Sequence, residues 1–342
     1  MLKFKTIKYE NHILSILDQR LLPNRIVYFK AKTAHDVYRA IKDMVLRGAP
    51  LIGVAAAWGI ALEAQRLPEK AFVKRLMLAI KLIRSARPTA RNLFWACGRM
   101  KRIVQHFSLT PKVLRQKLVA EAKKIEAEDI RACEAISKYG AVLIKSGFKI
   151  MVHCNAGALA TAGIGTALGI LYEAQTQGKE FTVYVCETRP WLQGARLSTW
   201  ELHRAGIETL LLCDNMISNF IEDVDLVIVG ADRIATNGDV ANKIGTKNLA
   251  IIANYYQVPF YVAAPIPTFD KNIDYGKKIP IEYRAETEVK FLVGQRLAPK
   301  AVKALNPAFD VTPHQLITGI ITDQGLIHPP YKEAIKKLVL LK

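Results

Sequence analysis

MVHCNAGALATAGIGTALG, residues Met151 to Gly169, is the stretch from which the fold is read. A short apolar run leads into a turn at Asn155-Ala156-Gly157, and the Gly/Ala-rich remainder predicts a small-residue helix. A strand feeding into a helix is the opening of a β–α unit. Cys154 falls at the junction. There the first-turn N–H groups of a helix, unpaired and partly positive, favour a thiolate or bind phosphate. The same position suits plain packing, because small residues let backbones approach closely.

Toward the C-terminus the pattern repeats. Thr182-Val183-Tyr184-Val185-Cys186 reads as a strand followed by a helix near 194–205, and Glu208–Leu212, Leu226–Gly230 and Pro259–Ala263 read as further short strands. Apolar strands alternating with helices predict a doubly wound, largely parallel sheet, in which ligands bind beyond the C-terminal strand ends. Cys154, Glu187-Thr188-Arg189, Asp214-Asn215 and Asp232 all fall at such ends.

Toward the N-terminus the period becomes helical. Helices are predicted at about 69–85, 90–106 and 111–146, broken at Arg87-Pro88 and near Thr110-Pro111, with a buried helix over Leu51–Ala64. Arg47-Gly48-Ala49-Pro50 separates that helix from one capped by Thr33 and running to about Leu46. Alternation in Phe4–Tyr9 and Arg25–Phe29 predicts a few short strands. The expected organisation is an α/β chain: a mainly helical N-terminal domain (1–147) with a small strand element, then a Rossmann-like α/β domain (148–342). No flexible spacer separates them, so firm packing is expected.

Composition narrows the function. Of 342 residues, 51% are hydrophobic, ample for a large core. No charge-free apolar run reaches membrane-spanning length, and the first residues lack a signal-peptide pattern. The five cysteines are odd in number and form no CxxC, which predicts reduced thiols in a cytoplasmic protein and argues against a zinc site. The net charge of +19 admits nucleic acid, an acidic partner or an anionic substrate. The basic residues are spread over amphipathic segments and the tail Lys332–Lys342, so solvated helix faces account for most of them and no nucleic-acid partner is expected.

Several residues can carry chemistry. Asp232 ends an apolar strand, where it is either a cap or salt-bridge partner, or a general acid or base. Asn242-Lys243 follows a turn, and Lys243 is placed to pair with a phosphate or to sit on the surface. In Glu187–Arg196, Arg189 and Arg196 offer forked donors for an anion or for structural bridges, and Gln193 can hydrogen-bond a sugar hydroxyl. Arg47-Gly48-Ala49 and Arg87-Pro88-Thr89 each set an arginine beside a backbone turn, as in a phosphate clamp. The sequence has no P-loop, GxSxG or HExxH, and Gly163-Ile164-Gly165 falls inside the predicted helix. His153 and Cys154 are strand neighbours facing opposite ways, which argues against a Cys–His pair.

Together the runs RGAPLIGVAAAWG (47–59), ARPTARNLFWA (86–96), HCNAGALATAGIGTALG (153–169), ETRPWLQGARLSTWEL (187–202), VGADRIATNGDVANKIGT (229–246), PFYVAAPIPTFD (259–270) and NPAFDVTPHQLITGIIT (306–322) resemble the methylthioribose-1-phosphate isomerase family. That family is related to the alpha, beta and delta regulatory subunits of the exchange factor for translation initiation factor two, and to ribose-1,5-bisphosphate isomerase. The resemblance implies a cytoplasmic, homodimeric aldose–ketose isomerase of methionine salvage that acts on a small sugar phosphate without metal or cofactor. It implies Cys154 and Asp232 as the catalytic pair, and Arg47, Gly48, Ala49, Arg87, Gln193, Asn242 and Lys243 as substrate contacts. The aromatic and aliphatic residues of 93–95 or 191–192 are candidates to line a methylthio pocket. Two positions depart from the family pattern: Ala156, where a hydroxyl residue is usual, and Arg91, where an apolar one is. Two alternatives share the fold: a non-catalytic regulatory subunit, which has no need for both Cys154 and Asp232, and an isomerase of 5-deoxyribose 1-phosphate or ribose 1,5-bisphosphate. Gln193 stands in a segment where those relatives carry an acid.

Overall fold

The computed structural model describes residues 4–105 and 109–340; positions 1–3, 106–108 and 341–342, including the predicted end of the 90–106 helix and of the basic tail, lie outside the described residues. Three antiparallel strands open the chain: β1 (Ile7–Glu10), β2 (Ile13–Leu17) and β3 (Tyr28–Ala31). Helix α1 (Ala34–Lys42) starts at a capping box in which Thr33 and Asp36 satisfy each other's backbone N–H groups. It ends four residues earlier than expected, because Met44 turns into the left-handed region, at φ 61°. Helix α2 (Ala49–Arg66) is apolar on all sides and buried almost throughout, the signature of a central helix. Around it pack α3 (Phe72–Arg84), α4 (Arg91–Val104) and the 31-residue α5 (Pro111–Ala141). Trp58, Ile41, Leu93 and Leu118 meet in this core.

The second half is built on a seven-stranded sheet. Its strands are β4 (Lys149–His153), β5 (Thr182–Cys186), β6 (Glu208–Leu212), β7 (Leu226–Val229), β10 (Phe260–Ala263), β14 (Gly319–Thr322) and β15 (Gly325–Ile327), in the order β15-β14-β10-β7-β4-β5-β6. All neighbours are parallel except β14 and β15. Alternation along β4 assigns its faces: Ile150 and Val152 join the core that holds Ile136 and Ala141 of α5, and Met151 joins the opposite one with Val227 and Phe260. The helices of this half include α6 (Ala167–Thr176), α7 (Thr199–Ala205) and α9 (Thr246–Tyr255), with the single turn α8 (Ile217–Phe220) between the last two. A small antiparallel sheet pairs β8 (Arg233–Ile234), β9 (Val240–Lys243) and β13 (Phe309–Thr312). Beyond β10 come the short α10 (Thr287–Lys290) and the two-residue pair β11 (Phe291–Leu292) and β12 (Gln295–Arg296); α11 (Tyr331–Leu340) closes the chain.

From β4 the chain winds outward through β5 to β6, then returns to the other side of β4 as β7. The connections after β4 and β7 therefore diverge and leave a crevice at their C-terminal ends. Cys154 follows β4 and Asp232 lies three residues beyond β7, which sets both at this switch point.

One expectation is corrected. Residues 157–166 are not helical. A single turn at Ala158–Ala160 gives way to irregular chain, and α6 begins only at Ala167. The N–H groups of Ala158 and Leu159 go to the carboxylate of Glu201, Gly157 bridges Gly165 across the loop, and Thr166 and Leu168 donate to the Ala156 carbonyl. These partners outcompete a helix of weak intrinsic propensity. Gly163-Ile164-Gly165 is thus loop.

Asp129 of α5 ties that loop down by accepting the Ala162 N–H at 2.7 Å, and burial pushes its carboxyl up to about 7. An unfolded aspartate titrates near ~3.9. The native state therefore binds the extra proton between these values, and the associated stability is complete in acid and lost as pH rises through about 7. Asp129→Asn keeps an acceptor for Ala162 and should flatten the decline of the melting temperature between about pH 4 and 7. A variant with the parent's slope would contradict this account of Asp129.

Candidate active site

Nine residues nominated from the sequence line one cavity at the switch point, of about 590 Å³ counting its open mouth. Cys154 and Asp232 come from the β4 and β7 ends. Arg47, Gly48 and Ala49 come from the start of α2, Arg87 from the loop before α4, Gln193 from the turn before α7, and Asn242 and Lys243 from β9.

Cys154 sits in the left-handed region at φ 61°, uncommon for a residue with a side chain. Its N–H donates to Thr188 Oγ1 at 2.8 Å, and that hydroxyl donates to the Cys186 carbonyl at 3.0 Å. Asp214 in turn accepts the N–H groups of Thr188 and Arg189. Two neighbouring strand ends thereby fix the thiol. Burial pushes it up, against the pull of Arg47 and Lys243. Asp232 donates its own N–H to Ala241 and accepts the Arg91 N–H on its carbonyl, at 2.9 and 3.3 Å. Burial raises its carboxyl as well, opposed by Lys243, Arg87 and Arg47.

Three cations face this one acid. Arg47 is buried and spends its Nε–H on Gln19 Oε1 and one hydrogen of each terminal nitrogen on Asn155, leaving two N–H bonds for a ligand. Arg87 pairs with Glu282 at 2.9 Å over the Phe309 ring. Lys243 gives one hydrogen to the Ala308 carbonyl at 2.9 Å and lies 4.6 Å over the same ring, its pKa lowered by burial. Asn242 donates to Thr246 Oγ1. Gln193 is fully buried with both side-chain amide atoms unpartnered, a costly arrangement unless a ligand satisfies them.

The helix N-terminus that lines the cavity is that of α2. Gly48, its N-cap, holds φ 96°, and a Cβ there would come within 2.6 Å of Ala160. An 18-residue helix thus presents first-turn N–H groups beside Arg47. Helix α6 contributes only its cap residue Thr166.

Other candidates are placed elsewhere. Arg189 binds the carbonyls of Pro190 and Val289, and Arg196 those of Gln19, Arg20 and Leu22, so both are structural bridges. Residues 93–95 and 191–192 do not line the cavity; Leu93 is in the helical core and Trp191 donates to Glu288. The apolar wall is instead Met44, Pro50, Pro265 and Phe309. His153 is buried with Nε2 bonded to the Ile244 carbonyl and makes no Cys–His pair. Arg91 has its own use, pairing at 3.3 Å with Asp270, which also holds Arg233. Ala156 packs under Gly230, and Thr161 and Thr166 are among the residues that line the cavity.

Reading single residues missed Gln19, Asn155, Glu201 and Glu282. The signal for Asn155 was its place beside Cys154; the other three lie far away in sequence.

Comparison with known proteins assigns the chain to a family. The model of the Initiation factor 2 subunit family matches residues 45–329. The methylthioribose-1-phosphate isomerase of Caldicellulosiruptor saccharolyticus is 49% identical over 338 residues, covering 98% of this chain and 99% of the relative. Among solved structures, 5-methylthioribose 1-phosphate isomerase from Pyrococcus horikoshii superposes with a TM-score of 0.90 at 42% identity, covering 99% and 97% of the two chains. A translation initiation factor eIF-2B delta subunit from A. fulgidus gives 0.85 at 38% identity, covering 99% and 100%. The chain belongs to the methylthioribose-1-phosphate isomerases within the Initiation factor 2 subunit family, and is an isomerase.

Proposed function

We propose that the chain converts 5-methylthioribose 1-phosphate to 5-methylthioribulose 1-phosphate, with Asp232 and Cys154 as the catalytic residues. The observation that carries the reading is the convergence of Arg47, Arg87 and Lys243 with one acid and one thiol on a single cavity. A dianionic phosphate matches two arginine forks, an ammonium and the α2 N-terminus. Gly48 and Ala49 let the ligand approach the backbone, and Gln193 and Asn242 are the polar contacts for sugar hydroxyls. The methylthio end fits the wall of Met44, Pro50, Pro265 and Phe309.

The chemistry follows from the substrate. A 1-phosphate locks the sugar as a cyclic acetal, so the ring opens only when its oxygen receives a proton. An aspartate whose burial keeps it protonated above the usual carboxylate range is suited to give one. One hydrogen then moves from C2 to C1 while the C2 hydroxyl loses its proton to become the ketone. Phosphate stays on C1, and no external oxidant or reductant is needed. Cys154 assists the hydrogen transfer. Its thiol is pushed up by burial, so the neighbouring cations Arg47 and Lys243 govern how readily it gives up a proton. Label at C2 distinguishes the two routes: deuterium retained at C1 marks a direct shift, and loss to solvent marks a relay through the thiol.

The protein is further read as a cytoplasmic homodimer. Its cysteines are free thiols, as a reducing compartment requires, and the exposed Leu210, Leu211 and Met216 at the open β6 edge support a self-associating face.

Purified protein given the methylthio sugar should form ketose, with 5-deoxyribose 1-phosphate a poorer substrate and ribose 1,5-bisphosphate inert. No turnover of the first by folded protein would sink the proposal. Cys154→Ala and Asp232→Asn should each lower kcat by roughly 10³-fold or more while the melting temperature stays within a few degrees. Near-normal activity in either variant would remove that residue from the mechanism. Because Asp232 is raised, kcat/KM should hold through the ordinary carboxylate range and decline only as pH climbs past its elevated value. A profile already falling through about pH 4 to 5 would show an ordinary, ionised Asp232.

A further inference from the structure

Glu201 of α7 is fully buried and does not line the cavity. Its Oε1 accepts Asn155 Nδ2–H at 2.9 Å and the Leu159 N–H at 3.0 Å, and its Oε2 accepts the Ala158 N–H at 2.7 Å and the Tyr172 hydroxyl at 3.0 Å. All four partners donate. That arrangement matches an ionised, acceptor-only carboxylate, even though burial by itself pushes the group up.

Among the described residues no lysine or arginine forms an ion pair with Glu201. Of its four donors, only Asn155 also contacts a cation, Arg47. Asn155 donates to Glu201 and, with its side-chain and backbone oxygens, accepts both terminal nitrogens of Arg47. An amide held this way is polarised from both ends and cannot turn over without breaking both sets of bonds. The same carboxylate holds Ala158 and Leu159, so the loop that follows Cys154 and the aim of Arg47 share one anchor.

We propose that Glu201 is a positioning residue for the isomerase, acting through Asn155 on Arg47 and on the loop after Cys154. The inference rests on the site reading given above. Replacing the carboxylate by an amide turns one of its acceptors into an NH2 group facing two donors, whichever oxygen is exchanged.

The test measures three quantities on the full chain: affinity for inorganic phosphate by calorimetry, kcat/KM for 5-methylthioribose 1-phosphate, and melting temperature. Glu201→Gln should weaken phosphate binding about tenfold and lower kcat/KM about 100-fold. Asn155→Ala should do the same, and the double variant should be no worse than the weaker single by more than about twofold, because both break one connection. Tyr172→Phe removes a donor without touching Asn155 and should stay within about threefold on both readouts. Folded Glu201→Gln within about twofold of the parent on both readouts, or additive losses in the double variant, would overturn the role. Should Glu201→Gln not fold, Asn155→Ala decides, and unchanged phosphate affinity there overturns it equally. If the parent binds phosphate but isomerises no sugar phosphate, the proposed function fails and phosphate affinity alone judges Glu201.

Discussion

A guanidinium taken out of water must be given an acceptor for nearly every N–H it carries, or leave them for a ligand. Arg47 imposes that demand where the helical half meets the sheet. Its three acceptors come from two distant places: Gln19 beyond the first hairpin, and the carbonyl and side chain of Asn155 beyond β4. Gln19 is itself positioned twice, by its amide on the Leu159 carbonyl and by Arg196 on its own. The sheet half, the helical half and the N-terminal hairpin are therefore satisfied together or not at all. Arg233 makes a matching tie on the other wall, reaching back to the carbonyls of Pro88 and Thr89 beside Asp232.

These ties give the cavity its electrostatic character. Burial disfavours charge on Cys154 and Asp232 alike. Arg47 and Lys243 oppose the effect at both groups, and Arg87 at Asp232, without an ion pair to either. On the function proposed above, a bound dianion neutralises these cations, weakens their hold on the acid and favours the protonated form of Asp232. Binding and acid strength are thereby linked.

Much of the fold was legible because periodicity reports burial. The limits of β5 match the predicted Thr182–Cys186 residue for residue, since the apolar centre Val183–Val185 is buried on both faces. The stretch after Cys154 misled because glycine and alanine are as compatible with close packing in a loop as in a helix. What decided it was Glu201, more than 40 residues away, which no local pattern can announce. The same limit applies to the site. Residues beside turns at strand ends could be nominated one by one. Gln19 and Glu282, which orient two of the arginines, are ordinary polar residues until the chain is folded. Leu93–Trp95, nominated for an apolar pocket, went elsewhere for a related reason: Leu93 packs into the helical core, while Phe94 and Trp95 lie against Arg84 and Arg99.

Helix α5 has a mechanical meaning. At its first half Leu114, Leu118 and Ile125 belong to the core of the helical bundle; at its end Ile136 and Ala141 lie under β4. Thirty-one residues of unbroken helix make a beam about 46 Å long, joined by side-chain packing to both halves. Rotating one half against the other would bend that beam or strip one end of it from its core. A clamshell motion is thus the expensive way to admit a substrate, and exchange through the rim of the cavity is the cheap one. The long helix makes the enzyme a vessel whose two halves are braced against each other.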